Sequence, residues 1–315
     1  MSINSLITSR AVIGEIYMKL TAPAASWVNR YAMKMESSQD VENYAWLGMA
    51  PKMREWVAGR QPKGLREQTF AIANKDHEAT LEILVKDLRR ERWGQIRTRI
   101  AELSRRALTY PMSLLSTLMI NGESAVCYDG QYFFDTDHSE GESGAQSNDL
   151  SVDISALPVA VHGSVTSPST EEMAQAILHA VQAILGFKDD QGEPMNEDAA
   201  VFEVMVPTSL TNAARAAVGL QVFAGGVSNQ IAAQSDWKIS VVTNPRLTWT
   251  DKFAVYRTDA ETKPFILQEE QPVNVSAIAE GSELEFKEKK HWYGVDWAGN
   301  VGYGFWQHAC LVTMV

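Results

Sequence analysis

Apolar and polar positions set out two periodicities along this chain. Ile96, Ile100, Leu103 and Ala107 recur at i, i+4, i+7 and i+11, the apolar stripe of one helix. Arg97, Arg99, Arg105 and Arg106 fall on its other faces. Pro111 is expected to interrupt this helix and open a second one bearing Leu114, Leu115 and Leu118, stopped by Asn121-Gly122. Period-two alternation appears at Phe70 and Ile72, then at Ala79, Leu81, Ile83 and Val85, and predicts strands with one buried face. Tyr293, Val295 and Trp297 alternate, as do Val301, Tyr303 and Phe305. Ala298-Gly299-Asn300 between them predicts a hairpin.

The middle of the chain reads as an α/β unit. Ser169 or Thr170 caps a helix running to about Leu185, with Glu171 and Glu172 favoured in its first turn by the helix dipole. Val201 to Val206 is a buried strand, and Thr208 or Ser209 caps a helix ending near Gly219. Gln221 to Ser235 is a Gly-, Ser- and Gln-rich loop. Strands follow at Lys238 to Thr243 and Phe253 to Arg257, around Asn244-Pro245. Near the N-terminus, Ser9 to Leu20 has helical character. Trp27, Tyr31, Tyr44 and Trp46 are bulky groups on a segment without an evident core of its own, so they pack on the rest of the chain or on a neighbour.

Composition narrows the classes. The 315 residues are 45% hydrophobic and 21% charged, enough apolar content to fold and, by length, to form two domains. No apolar run approaches the length of a membrane span, and the N-terminus lacks the pattern of a secretory signal. Cys127 and Cys310 form no metal-ligand spacing and read as buried free thiols. Net charge is -11, unevenly spread. Residues 51–110 hold 14 Lys/Arg against 8 Asp/Glu, while residues 111–315 hold 10 against 27. A basic segment in an acidic protein suits nucleic acid or the acidic surface of another copy, and the overall negative charge argues against a dedicated nucleic-acid clamp.

Little supports catalysis. Asp135, Asp137 and His138 offer metal-ligand chemistry, that of a metal-dependent hydrolase, but Asp-x-Asp-His is a common string, and a turn accepting backbone hydrogen bonds explains it more simply. Trp292, Tyr293, Trp297, Tyr303 and Trp306 suit a stacking platform or, more simply, the packing of the hairpin. Phosphate-binding, nucleophile-elbow and zinc-protease motifs do not occur. No catalytic, cofactor or metal residue is assigned.

A set of strings in fixed order carries a family resemblance. They are Pro51-Lys52-Met53-Arg54-Glu55-Trp56; Asn74-Lys75 followed by Glu78-Ala79-Thr80; Tyr128-Asp129-Gly130-Gln131; Phe133-Phe134-Asp135-Thr136-Asp137-His138 with Gln146-Ser147-Asn148; Tyr293-Gly294-Val295-Asp296; and Gly302-Tyr303-Gly304-Phe305-Trp306-Gln307. From about residue 10 to the C-terminus the chain resembles the major head (capsid) subunits of phage Mu and its prophage relatives, the T protein family.

The resemblance implies an α+β fold of the Hong Kong 97-like capsid type: an N-terminal arm (1–50), an extended β-hairpin loop (51–87), a peripheral domain with a spine helix (88–166), an axial domain (167–261) and return strands to the peripheral domain (262–315). It implies a structural, non-enzymatic protein that assembles into pentamers and hexamers of itself. These form an icosahedral head around double-stranded DNA bound without sequence specificity. The implied partners are a scaffolding protein, a portal and decoration proteins. Assembly is expected in the bacterial cytoplasm, and the final location is the virion. A cellular nanocompartment shell of encapsulin type is the rival within the same fold. Lys52, Arg54, Arg60, Lys63 and Arg66 are expected to bind a neighbouring subunit, and Gly225, Gly226, Asn229 and Gln230 to contact copies at the capsomer centre. On this reading residues 1–90 find their burial on sister subunits and not within their own fold.

Overall fold

The computed structural model describes residues 9–21, 26–44, 47, 70–90, 93–233 and 236–315. In chain order, the N-terminal part contains α1 (Ser9–Leu20), α2 (Val28–Tyr31), β1 (Ala32–Glu36), β2 (Val41–Asn43), β3 (Ala71–Ala73), β4 (Lys75–Leu84), α3 (Val85–Arg89) and α4 (Trp93–Ile120). The middle contains β5 (Asp149–Val152), α5 (Thr170–Gly186), β6 (Val201–Val206), α6 (Thr211–Gly219), α7 (Gln230–Ala233), β7 (Lys238–Thr243) and β8 (Lys252–Arg257). The C-terminal part adds β9 (Phe265–Ile278), α8 (Glu283–Glu288), β10 (Lys290–Tyr303) and β11 (Ala309–Met314).

Two sheets organise these elements. One has the order β1-β9-β10-β4, with β1 parallel to β9 and the other neighbours antiparallel. The other has the order β5-β11-β8-β6-β7. The second sheet therefore draws β5 and β11 from outside the 167–261 span. A two-stranded pair joins β2 to β3.

The long helix α4 ties the two halves together. Its first part buries Ile96, Ile100 and Leu103 with Val12 and Ile16 of α1 and Tyr293 of β10. Its last part buries Leu115 and Met119 in the main core. Pro111 was expected to end this helix, but α4 runs through it for 28 residues. Proline removes one backbone donor there, at a cost of about 3 kcal/mol, and burial on both sides of the residue offsets the missing rung.

The expected hairpin at Ala298-Gly299-Asn300 is also overturned. Residues 290–303 form one strand, paired to β4 along its first ten residues. The turn-like residues have other uses. A side chain at Gly299 would meet the Gln268 carbonyl at 2.4 Å, so glycine permits close approach to β9. Asn300 donates to the Ala73 carbonyl at 2.7 Å. Where β10 passes this point its register with β9 shifts, the mark of a bulge.

Helix starts agree in part. Ser169 accepts from the Glu172 N–H while the Glu172 carboxylate accepts from Ser169 N–H, a reciprocal capping box. The expected caps of α6, Thr208 and Ser209, instead lie in the turn before it. Leu210 occupies the cap position without a side-chain bond, and Thr211 bonds back to the Pro207 carbonyl at 3.1 Å.

The described part of the arm packs on its own chain, contrary to the expectation that it is buried only on sister subunits. Val12 and Ile16 are fully buried under α4 and the first sheet. Arg97 on α4 pairs with Glu15 at 3.1 Å. Tyr31 is fully buried, with its hydroxyl donating to Glu203 of β6 at 2.6 Å and its ring edge-on to Tyr256 at 5.0 Å. Tyr44 donates to Gln268 at 2.8 Å. β4, within the segment read as extended loop, is likewise a strand of the main sheet. Intramolecular apolar partners exist for these groups, so burial does not wait for assembly.

Candidate functional site

The string Cys127 to His138 folds into a tight turn pinned by a buried polar node. Gly130, at φ +90°, supplies the left-handed residue of that turn. Asp129 sits at the centre. It accepts from the Cys127 thiol at 2.9 Å, the Gln131 N–H at 3.1 Å and His138 Nδ1 at 2.6 Å. His138 is wholly buried, its ring stacked on Trp306 at 3.9 Å between centroids. Its Nε2 lies 3.2 Å from Asn148 Oδ1, and the Asn148 amide donates to the Phe133 carbonyl at 2.8 Å. Burial works against the Asp129 carboxylate, but the bonds from His138, Cys127 and Gln131 outweigh it and hold its pKa below the ordinary range.

Cys127, Asp129 and His138 each place a ligand-type atom within 4.8 Å of the others. At 2.6 and 2.9 Å these atoms are already committed to one another as hydrogen-bond partners, so the arrangement is that of a structural node. The trio Asp135, Asp137 and His138 named for a hydrolase does not form this cluster. Asp135 caps its own turn, accepting from Tyr132 and Thr136 N–H at 3.1 and 2.7 Å. The sequence flagged His138 and the Tyr128-Asp129-Gly130 turn, but only the fold joins them.

Glu140 borders the node, 6% exposed, with Trp306 Nε1 donating to it at 3.4 Å. Burial, reinforced by Asp129 and Asp190, pushes its carboxyl from 4.5 up to about 7, against the opposing bonds from Tyr128 and Trp306. The folded state thus holds this proton more tightly than the unfolded chain does. The associated stability is fully present below about pH 4.5 and is lost as pH rises through 7, a difference of about 3 kcal/mol. Glu140→Gln is expected to flatten this slope and raise the melting temperature at pH 8. Calorimetry of the unassembled subunit at pH 5 and pH 8 checks it; equal pH slopes in both proteins would refute the assignment.

His308 and Arg257 share Asn196. His308 Nδ1 lies 2.9 Å and Arg257 Nη1 3.1 Å from Asn196 Oδ1. Burial, with Arg257 and Lys263 nearby, pushes the His308 imidazole down to about 3. These groups fix the junction of β8, β11 and the loop after α5.

The stretch 221–233 carries the expected capsomer-centre residues. It is an ordered small turn: Phe223 N–H donates to the Val227 carbonyl at 2.8 Å, and Gly226 takes φ +81°. Asn229 is buried, its amide donating to the Ala217 and Leu220 carbonyls at 2.6 Å each. It therefore anchors the turn to α6. Gln230 and Gly226 are exposed, with Leu220, Val222 and Val227 beside them at 47%, 54% and 45% exposure. Lys52, Arg54, Arg60, Lys63 and Arg66 lie outside the described residues. Of the aromatics considered for a stacking platform, Tyr293, Trp297, Tyr303 and Trp306 are buried and only Trp292 is partly open, which makes them core.

A family model described as Mu-like prophage major head subunit gpT matches residues 8–157 and 238–314. The chain is similar to the major capsid protein of Escherichia phage Mu, 36% identical over 115 residues, covering 36% of this chain and 38% of that protein. It is similar to the Mu-like prophage FluMu major head subunit of Haemophilus influenzae, 34% identical over 131 residues and 42% of each chain. The matched stretches thus span less than half of either relative's length. Among solved structures, a chain in the procapsid of bacteriophage JBD30 has a TM-score of 0.56 at 23% identity, covering 98% of this chain and 75% of that one. The α+β architecture is therefore the Hong Kong 97-like capsid fold. With the family model matching both the arm-to-spine half and the C-terminal strands, this chain belongs to the Mu-like prophage major head subunit family.

Proposed function

We propose that the chain is the shell-building subunit of a Mu-like phage or prophage head. It assembles with itself into pentamers and hexamers that close an icosahedral container around double-stranded DNA. The observation that carries this reading is the family match on a procapsid-like fold, and its role is structural, without catalysis. Residues 51–87 are the extended loop, and its Lys52, Arg54, Arg60, Lys63 and Arg66 meet acidic surface on a neighbour. Each exposed ion pair adds only about 0–1 kcal/mol, but a shell repeats the contact many times. Residues 167–261 are the axial domain, and its turn at Gly225, Gly226 and Gln230, anchored by Asn229, faces other copies at the capsomer centre. Scaffolding, portal and decoration proteins are the further partners, and assembly takes place in the host cytoplasm before the protein resides in the virion.

Acidic residues dominate outside the basic segment, with 27 Asp/Glu in residues 111–315. Such a wall tolerates packed DNA without gripping it. Among the described residues no helix is long and apolar enough to cross a membrane. Expression with the neighbouring genes, followed by nuclease treatment of purified particles, tests the reading. Protected double-stranded DNA inside closed shells is expected. Closed shells filled with host enzymes and free of DNA would favour the encapsulin-type nanocompartment, and a monomer with chelator-sensitive hydrolase activity would overturn both.

A further inference from the structure

The far end of the first sheet carries an aromatic side chain with no intramolecular use. Phe286 lies on α8, between β9 and β10, and is 88% exposed. The helix around it is well framed. Ser282 accepts from the Glu285 N–H at 3.2 Å, and Lys289 closes the helix in the left-handed region at φ 55°, its N–H bonded to the Glu285 carbonyl. No residue of α8 is buried. A phenyl ring on a fixed mount is held in water, although apolar burial is the main favourable term available to it. At the same end of the sheet, Ile278 and its cross-strand partner Trp292 are 50% and 39% exposed.

Beside this knob lies a cavity of about 480 Å³ lined by Leu84, Val85, Lys86, Arg90, Glu288 and Lys289. Leu84 and Val85 give it apolar lining, and its charged lining is mostly basic. Lys86 and Arg90 are exposed and form no ion pair among the described residues. The knob helix is acidic in its first turn, at Glu283 and Glu285. Glu283 is 77% exposed and, among the described residues, pairs with Lys287. Knob and cavity are thus opposite in charge, sit side by side on one end of the molecule, and do not fill one another. Only a rotated copy brings them together.

We propose that Phe286 seats in the Leu84–Val85 cavity of a second copy of this chain, with Glu283 of the incoming helix against Lys86 and Arg90. Each copy gives one knob and receives one. The proposal rests on the shell reading, for which it names one contact between copies and the residues that make it.

The test uses the full chain under conditions where the unaltered protein forms particles. Phe286→Ala and Lys86→Glu are each expected to lower the yield of closed particles about tenfold or more, as loss of a central contact residue does, with the melting temperature of the unassembled subunit unchanged. Lys86→Glu combined with Glu283→Lys is expected to restore assembly. In Leu84→Cys with Phe286→Cys, oxidation is expected to link copies covalently; Cys127 and Cys310 are buried and stay out of the reaction. Full assembly of Phe286→Ala, no rescue by the charge swap, or no cross-link within assembled particles would overturn the contact while leaving the shell reading intact. Failure of the unaltered protein to associate at all would instead remove the shell reading and the contact with it.

Discussion

Replacing Asp129 by alanine is expected to destabilise the unassembled subunit by about 3–5 kcal/mol, because it removes a buried carboxylate acceptor and leaves two buried donors without their partner. His138 and Asp129 are 0% and 1% exposed at their side chains, so water cannot replace the lost bond. Alanine would strand His138 Nδ1 and the Cys127 thiol together and release the turn that presents His138 to Trp306. Asp129→Asn keeps an acceptor oxygen but loses the charge, so a smaller loss of about 1–3 kcal/mol is expected. Urea unfolding followed by tryptophan fluorescence measures both. A loss below 1 kcal/mol for the alanine variant would show that the node is solvated and carries little.

Tyr31→Ala is expected to cost a comparable amount, about 3–5 kcal/mol for emptying a fully buried aromatic site. It also removes a 2.6 Å hydrogen bond to Glu203, itself only 7% exposed. Arg30 keeps Glu203 partly satisfied, at 2.8 Å, so Tyr31→Phe should cost only about 1–2 kcal/mol. The alanine variant should free the arm as well, making the segment before residue 32 sensitive to protease in the unassembled subunit. Had the arm been buried only on sister subunits, both variants would leave the free subunit's stability untouched. Equal stability of Tyr31→Ala and the unaltered protein would therefore reinstate that view.

Elements whose signal is local were legible in the sequence. The stripe of Ile96, Ile100 and Leu103, the Ser169–Glu172 cap, the buried run at 201–206 and the alternation at 79–83 all reappear where they were expected. Misreadings came where tertiary contact overrides a local cue. Pro111 breaks a helix in isolation, but burial on both flanks carries α4 through it. Gly299-Asn300 signals a turn, but the glycine is there for a close approach to Gln268 and the asparagine for a bond to β3. Tyr31 and Tyr44 gave no clue to their partners, because those partners lie far away in sequence, on β6, β8 and β9.

The family strings follow the same logic. Those quoted from the sequence fall at 51–148 and 293–307, within the two stretches that the family model matches. Several of those among the described residues hold glycines at close approaches and polar residues of buried nodes. A side chain at Gly302, for example, would meet Ile72 at 2.2 Å. The assembly surfaces have no such local signature. Phe286 looks like any helix residue until its exposure is known, and the basic loop declares its charge but not its partner.

The most direct measurement is electron microscopy of the purified chain, with and without its neighbouring genes expressed. Closed, uniform particles are expected, their capsomers rings of five and six copies, each copy keeping its N-terminal segment folded against its own α4. A protein that stays monomeric at every concentration and ionic strength, and gains no partners from those genes, would contradict this expectation.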